Sequence, residues 1–324
     1  CYAPVVLYKN EFYTTAIRVD REKRQELKGM DCSKIERGVK KFKKVFPSNR
    51  LVRHLENCAL RYGCPAAKNF FLQRYEAPLP TSPACNADCL GCISYQRGKK
   101  CSMTQPRIKF IPSAREIAEV AVHHIKSVKD PVVSFGQGCE GEPLLSGVEI
   151  EKAIKLIRRG TLKGMINMNT NASKPEVLKK LFRSGLDSIR VSINSVRKKY
   201  YDLYYSPRGY NFGDVVTSVK TAKNAGAFVS LNYLLVPGFT DLKNEADALF
   251  DFIHKNRVDM IQWRNLNYDP MDYFRKMKIT PARGEMIGVD VLINSVHKEF
   301  PRLLKGYFNP SRRRVRRYYE NTTR

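Results

Sequence analysis

Cys85-Asn86-Ala87-Asp88-Cys89-Leu90-Gly91-Cys92 places three thiols within eight residues, in a loop opened by Pro78, Pro80 and Pro83. Thiolates spaced C-x3-C-x2-C can wrap one corner of a cubane iron–sulfur cluster, and three of them leave the fourth iron without a protein ligand. An electron-carrying cluster normally has every iron capped by cysteine, whereas an open iron can bind and activate a small molecule. The alternative on spacing alone is a zinc knuckle, which needs a fourth ligand that Cys101 or His123 could supply.

Outward from this loop the texture is that of βα units. Between about residue 69 and residue 270, short β-rich runs alternate with amphipathic helices, the pattern of a parallel sheet covered by helices. The runs are Phe70 to Tyr75, Val132 to Phe135, Met165 to Thr170, Ser188 to Ile193, Phe228 to Val236 and Met260 to Leu266. Helix starts are expected at the capping-box pairs Ser113 with Glu116, Ser146 with Glu149 and Ser173 with Glu176. Left-handed stops are expected at Gly160, Gly185 and Gly226. Ile150, Ala153, Ile154 and Ile157 form an apolar stripe that should lie on the sheet. Six such units predict an α/β fold: an open, partial (β/α)6 TIM-like barrel with parallel strands and its functional loops at the C-terminal strand ends. Residues 1–68 read as a basic N-terminal extension with a helix from Ser33 to Phe46, and residues 271–324 as a helical and basic C-terminal extension with a helix from Gly284 to Phe300.

The motifs after the strands resemble those of the radical S-adenosylmethionine (radical SAM) superfamily, whose signature is C-x3-C-x2-C after the first strand of a partial barrel. Gly138-Cys139-Glu140-Gly141-Glu142-Pro143 looks like the family's Gly-Gly-Glu-Pro segment, with Gly141 and Glu142 matching and Glu140 standing where the first glycine is usual. Thr170-Asn171-Ala172 resembles Thr-Asn-Gly, and Arg190-Val191-Ser192-Ile193-Asn194-Ser195 resembles a Val-Ser-Leu-Asp segment. The resemblance implies a [4Fe–4S] cluster on Cys85, Cys89 and Cys92, and S-adenosylmethionine held near Gly141, Glu142, Asn171, Ser192, Asn194 and Asn232. It implies reductive cleavage of that cofactor to a 5′-deoxyadenosyl radical that abstracts hydrogen from a substrate, with a flavodoxin- or ferredoxin-type electron donor as partner. One departure is Gly91, where the family usually has an aromatic residue against adenine; Tyr95 or another ring would have to substitute. Gln262, Arg264, Asn265 and Asn267 form a polar run in the sixth unit that should line a substrate pocket, although an edge strand with alternate residues in solvent would read alike.

The rest of the sequence bounds the setting. Nine cysteines, an odd number with three crowded together, suit metal ligation in a reducing compartment, and oxygen would damage such a site. Cys32, Cys58, Cys64 and Cys101 are candidates for a second, auxiliary iron–sulfur cluster; Cys139 reads as a buried neighbour of the cofactor, and His123 and His124 as structural. No apolar run is long enough for a membrane span and the charged first thirty residues do not resemble a signal peptide, so a cytoplasmic protein is expected. The formal charge of +27, from 58 Lys and Arg against 31 Asp and Glu, would attract a polyanion: nucleic acid, an acidic protein or a phosphorylated metabolite. Arg312 to Tyr319 interleaves arginines and tyrosines in a way that suits phosphate contact and base stacking, or a solvated tail. Two other classes fit parts of the sequence. One is a zinc- or cluster-containing nucleic-acid-binding protein without catalysis; the other is an activase that installs a radical in a partner.

Overall fold

The computed structural model describes residues 5–14, 26–96, 103–280, 285–306 and 308–322. At the N-terminus β1 (Val5–Tyr8) and β2 (Glu11–Thr14) pair antiparallel. They turn at Lys9 and Asn10, both at positive φ as a tight type I′ hairpin requires. Three helices follow: α1 (Cys32–Val45), α2 (Arg50–Leu60) and α3 (Pro65–Phe71). Asp31 and Asn49 cap the first two by accepting from Lys34 N and Val52 N. Ile35, Val39 and Phe42 of α1 pack with Leu51, Leu55, Phe70 and Phe71 in the same apolar core that runs through the rest of the chain.

The remaining strands form one seven-stranded parallel sheet in chain order: β3 (Glu76–Pro78), β4 (Val132–Phe135), β5 (Met165–Thr170), β6 (Ser188–Ile193), β7 (Phe228–Leu235), β8 (Met260–Asn265) and β9 (Leu304–Lys305). The sheet is not closed: β3 and β9 are its edges. Asn309, just beyond β9, crosses the gap, and its Nδ2 donates to Glu76 Oε1 at 2.7 Å and to Ser134 Oγ at 3.3 Å. The connecting helices include α4 (Ala114–Ser127), α5 (Gly147–Gly160), α6 (Pro175–Ser184), α7 (Lys198–Tyr205), α8 (Phe212–Asn224) and α9 (Lys243–Asn256). Beyond β8 come α10 (Pro270–Met277), α11 (Val289–Glu299) and α12 (Arg312–Thr322). Among the described residues no helix is long and apolar enough to cross a membrane.

The middles of β5 to β8 alternate apolar and polar residues although most of them are buried or half-buried. Ile166, Met168, Ile189, Val191, Val229 and Leu231 are apolar, and between them come Asn167, Asn169, Ser188, Arg190, Ser192, Ser230 and Asn232. The period of two puts the polar set on one face, and these residues bond to one another across the strands. Asn167 Nδ2 donates to Ser134 Oγ at 2.9 Å, Ser188 Oγ to Asn167 Oδ1 at 2.8 Å, and Arg190 Nη1 to Gln262 Oε1 at 2.8 Å. A closed eight-stranded barrel fills its interior with branched apolar side chains; this one encloses a polar column.

Several expectations are corrected. Phe70 to Tyr75 is not the first strand. Pro65 opens α3 at its first turn, where its missing N–H costs nothing and its fixed φ suits a helix, and the strand falls at Glu76–Pro78. Of the three expected capping boxes only Ser113–Glu116 forms. Ser146 ends a 3-10 turn without capping α5, and Glu149 instead accepts from Ala114 N; Lys174 occupies the cap position of α6 ahead of Pro175. Gly160 is the last helical residue of α5, whereas Gly185 and Gly226 do take positive φ. The helix expected from Gly284 to Phe300 is α11 and begins at Val289; Gly284 lies outside the described residues.

The basic tail is neither a solvated arm nor a stacking platform beside the site. Val315, Tyr318 and Tyr319 of α12 cover Val132, Met165, Phe228 and Met260, the first residues of β4, β5, β7 and β8. Both tyrosine rings sit edge-on to Phe228, with centroids 5.7 and 6.5 Å away. Arg312 donates to Asp187 at 2.8 Å and Arg313 pairs with Asp130 at 2.6 Å. The helix plugs the N-terminal end of the barrel because its aromatic stripe finds four apolar strand starts there.

Candidate functional site

At the opposite, C-terminal end of the strands, a cavity of about 300 Å³ gathers most of the motifs. Cys85, Cys89 and Cys92 line it from the loop after β3, Gly141 and Glu142 from the loop after β4, and Asn171 from the loop after β5. Ser192 of β6, Asn232 of β7, and Arg264, Asn265 and Asn267 from the end of β8 complete the wall.

Backbone contacts hold the cysteine loop in place. Gly141 N donates to Ser82 O at 2.7 Å and Glu142 N to Ala84 O at 2.8 Å, so the loops after β3 and β4 run side by side. A Cβ on Gly141 would lie 1.9 Å from Ala84 O, which is why glycine stands there. Glu140 locks the same junction: Oε2 accepts from Thr81 N at 2.7 Å and Ser82 N at 2.9 Å, and Oε1 accepts from Gln137 N at 2.6 Å. The usual glycine is thus replaced by a carboxylate turned away into three N–H groups. Asn171 Nδ2 donates to Asn86 Oδ1 at 2.9 Å, and Arg208 Nη2 to Cys85 O at 3.0 Å.

Glu142 is fully enclosed, accepting from Thr170 Oγ1, from Asn171 N at 2.8 Å and from Leu144 N at 3.1 Å. Burial pushes its carboxyl, like that of Glu140, up to about 7. Burial also raises the Cys85 thiol, with the Glu142 charge adding to it, and lifts Cys89 further. Such thiols lose their protons to a bound metal. Arg107, which the sequence reading passed over, points Nη2 at Cys92 Sγ from 3.6 Å and donates from Nε to Ser94 Oγ at 3.0 Å. Its guanidinium opposes the rise at Cys85 and Cys89. Nothing in the sequence separates it from the other cations that follow the triad, Arg97, Lys99 and Lys100.

The departure at Gly91 has a structural cause. A Cβ there would meet Tyr204 Oη at 2.8 Å and Asn267 Oδ1 at 2.9 Å, so the space that a side chain at 91 would need is taken by a tyrosine from α7. Tyr204 and Tyr205 both line the cavity, while Tyr95 is exposed and stacks on Arg107.

Two expected residues lie elsewhere. Asn194 is not in the cavity wall; its Nδ2 donates to Tyr200 O of α7 at 3.1 Å. Gln262 faces a smaller cavity deeper in the barrel, of about 100 Å³, where Arg190 and Arg264 also reach. Asn169 and Arg190, which line both cavities, were given no role by the sequence, although Arg190 opens the motif that ends at Ser195; the polar alternation of β5 and β6 is the signal that marks them. Of the auxiliary-cluster candidates, Cys32 is exposed and Cys101 lies outside the described residues. Cys58 and Cys64 instead lie near Cys139.

The residues present fit an iron–sulfur cluster with S-adenosylmethionine. Three thiols and an arginine share one polar cavity, and Asn232 Oδ1 is buried without a hydrogen-bond partner in its wall, a group made for a ligand. The profile of the Radical SAM superfamily matches residues 79–253, more than half of the chain. The chain belongs to the radical SAM superfamily. Its members use a [4Fe–4S] cluster and S-adenosylmethionine, and this radical SAM chain is accordingly an enzyme.

Solved structures to which the chain is similar include HydG, a maturase of the [FeFe]-hydrogenase (16% identity, TM-score 0.49, over 93% of this chain and 68% of that one). Methylornithine synthase PylB is another (16%, 0.49, 76% and 69%). A third is Streptococcus suis SuiB bound to S-adenosylmethionine (15%, 0.50, 85% and 63%). The radical SAM chain therefore spans only part of each neighbour's length. No curated protein matches it.

Proposed function

We propose that Cys85, Cys89 and Cys92 hold the cluster, that Gly141, Glu142, Asn171, Ser192 and Asn232 surround S-adenosylmethionine, and that the substrate is an anionic molecule reaching Arg264, Asn265 and Asn267. The observation that carries this reading is one cavity lined by the three thiols and by residues from the C-terminal ends of β4 to β8. When bound, the cluster supplies one electron that breaks a sulfur–carbon bond of S-adenosylmethionine, giving a 5′-deoxyadenosyl radical that takes hydrogen from the substrate.

The protein's own contribution is orientation and charge. Glu142 and the carbonyls beside it receive an ammonium group, and Asn232 Oδ1 accepts from a ribose hydroxyl or adenine amine. Tyr204 gives the ring surface that Gly91 cannot. Asn194 serves as a positioning residue, holding the start of α7 and so Tyr204. Arg107 offsets negative charge at the thiolates, which raises the cluster's reduction potential. Arg190 and Arg264 put two cations in the polar column, and these favour a phosphorylated or carboxylated substrate. Members of the superfamily need a reductant. The basic surface suits an acidic flavodoxin- or ferredoxin-type donor, and the half-buried free thiols suit a reducing cytoplasm.

Anaerobic reconstitution with iron and sulfide, then reduction in the presence of S-adenosylmethionine, should yield 5′-deoxyadenosine. The paramagnetic spectrum of the reduced cluster should change when the cofactor is added. A protein that carries four irons yet shows neither change overturns the assignment.

A further inference from the structure

A second set of metal-ligating side chains lies behind the cofactor segment. His54 and Cys58 are four residues apart on α2, which puts both on one helix face. They meet Cys139, which follows β4 and immediately precedes Glu140. His54 Nε2 lies 3.3 Å from Cys139 Sγ and 3.5 Å from Cys58 Sγ. Among the described residues, these three are the group whose ligand atoms all lie within 4.8 Å of one another; the three loop thiols are not. Cys58 and Cys139 are buried. Cys64, at the start of α3, is tied to the same place by its N–H, which donates to Cys58 O at 2.9 Å.

The spacing discriminates between kinds of metal centre. With Zn–S about 2.3 Å and Zn–N about 2.0–2.1 Å, a tetrahedral ion sets nitrogen and sulfur ligands about 3.6 Å apart. The two N···S distances sit close to that edge, whereas a cubane spreads its thiolates over separate irons. Imidazole with thiolates is also a zinc donor set.

The geometry points to a structural zinc site formed by His54 Nε2 and the thiolates of Cys58 and Cys139, with Cys64, whose thiol stands outside that close-set group, drawn in as the fourth ligand when the ion binds. It is independent of the radical centre and joins the N-terminal helices to the barrel. The ion would pin α2 and α3 to the segment that carries Glu140 and Glu142, and through Glu140 to the cysteine loop itself. Binding expels the thiol protons and leaves the ion a closed coordination shell with no position for substrate.

The test is the metal content of the full chain purified with zinc in the medium. About one zinc per chain is expected, and it should remain when Cys85, Cys89 and Cys92 are all replaced by serine. Cys58→Ser, Cys139→Ser and His54→Ala should each lose it while the iron of the reconstituted radical centre stays. Cobalt(II) loaded into the unsubstituted chain gives a reading that needs no variant to fold: thiolate-to-cobalt charge-transfer bands with intense tetrahedral ligand-field bands. The proposal is overturned by a chain that takes up neither zinc nor cobalt, by zinc that leaves with the loop triad alone, by a second iron cluster at these residues, or by a Cys58–Cys139 disulfide in metal-free protein.

Discussion

The two ends of the barrel are built from opposite materials. At the C-terminal strand ends the chain presents thiols, buried carboxylates, amides and arginines around a cavity. At the N-terminal ends Val132, Met165, Phe228 and Met260 meet the aromatic stripe of α12. One end leaves a buried amide oxygen, Asn232 Oδ1, without a protein partner among the described residues; the other is sealed by apolar contact. The separation lets chemistry sit at strand ends whose loops are free to vary, while stability is concentrated where no loop needs to change. Substitutions at one end should therefore leave the other's property intact.

Cys89→Ser should abolish 5′-deoxyadenosine formation, measured chromatographically, while the thermal unfolding temperature of the metal-free chain barely moves; a lasting fraction of activity would break the comparison. Phe228→Ala should do the reverse. It should cost about 3–5 kcal/mol in urea unfolding and leave the activity of each folded molecule unchanged.

His124 belongs to the sealed end, where its Nε2–H donates to Tyr75 O at 3.2 Å just before β3. Burial depresses its pKa from 6.5 to about 4, so the unfolded chain binds a proton that the folded chain refuses. The stability it protects is complete above pH 6.5 and is lost as pH falls through 4, at most about 3 kcal/mol. His124→Asn, which keeps a donor without the titration, should flatten the stability profile over that window. Glu140→Gln exchanges one acceptor oxygen for an amide, which cannot serve all three N–H groups. It should cost about 1–3 kcal/mol and loosen the cysteine loop, seen as weaker S-adenosylmethionine binding. Arg313→Ala breaks a half-exposed ion pair with Asp130 and should cost under about 1 kcal/mol, with activity untouched.

Legibility in the sequence followed the same division. Cys85, Gly141, Asn171 and Asn232 could be read because each stands just past or inside a strand in the family's order, and local order survives folding. The packing partners of Glu140 could not, since two of the three N–H groups that it holds, those of Thr81 and Ser82, belong to a distant stretch of chain. Gly91 looked like a missing ring because the tyrosine that fills its place comes from α7, more than a hundred residues away. Phe70 and Phe71 looked like strand because aromatic residues suit both periods, and Pro65 decided for helix. The strand alternation from Asn167 to Asn232 was present in plain view; only the hollow interior of an unclosed barrel explains why buried strands carry it.

That unclosed wall has a mechanical consequence. Between β3 and β9 no ladder of amides runs; the junction is laced by Asn309 reaching Glu76 and Ser134. Parting two strands elsewhere in the wall would break a row of hydrogen bonds together, while parting these edges asks much less. The slit should therefore be where the barrel opens at the smallest loss of backbone hydrogen bonds, a side door that Asn309 helps to latch.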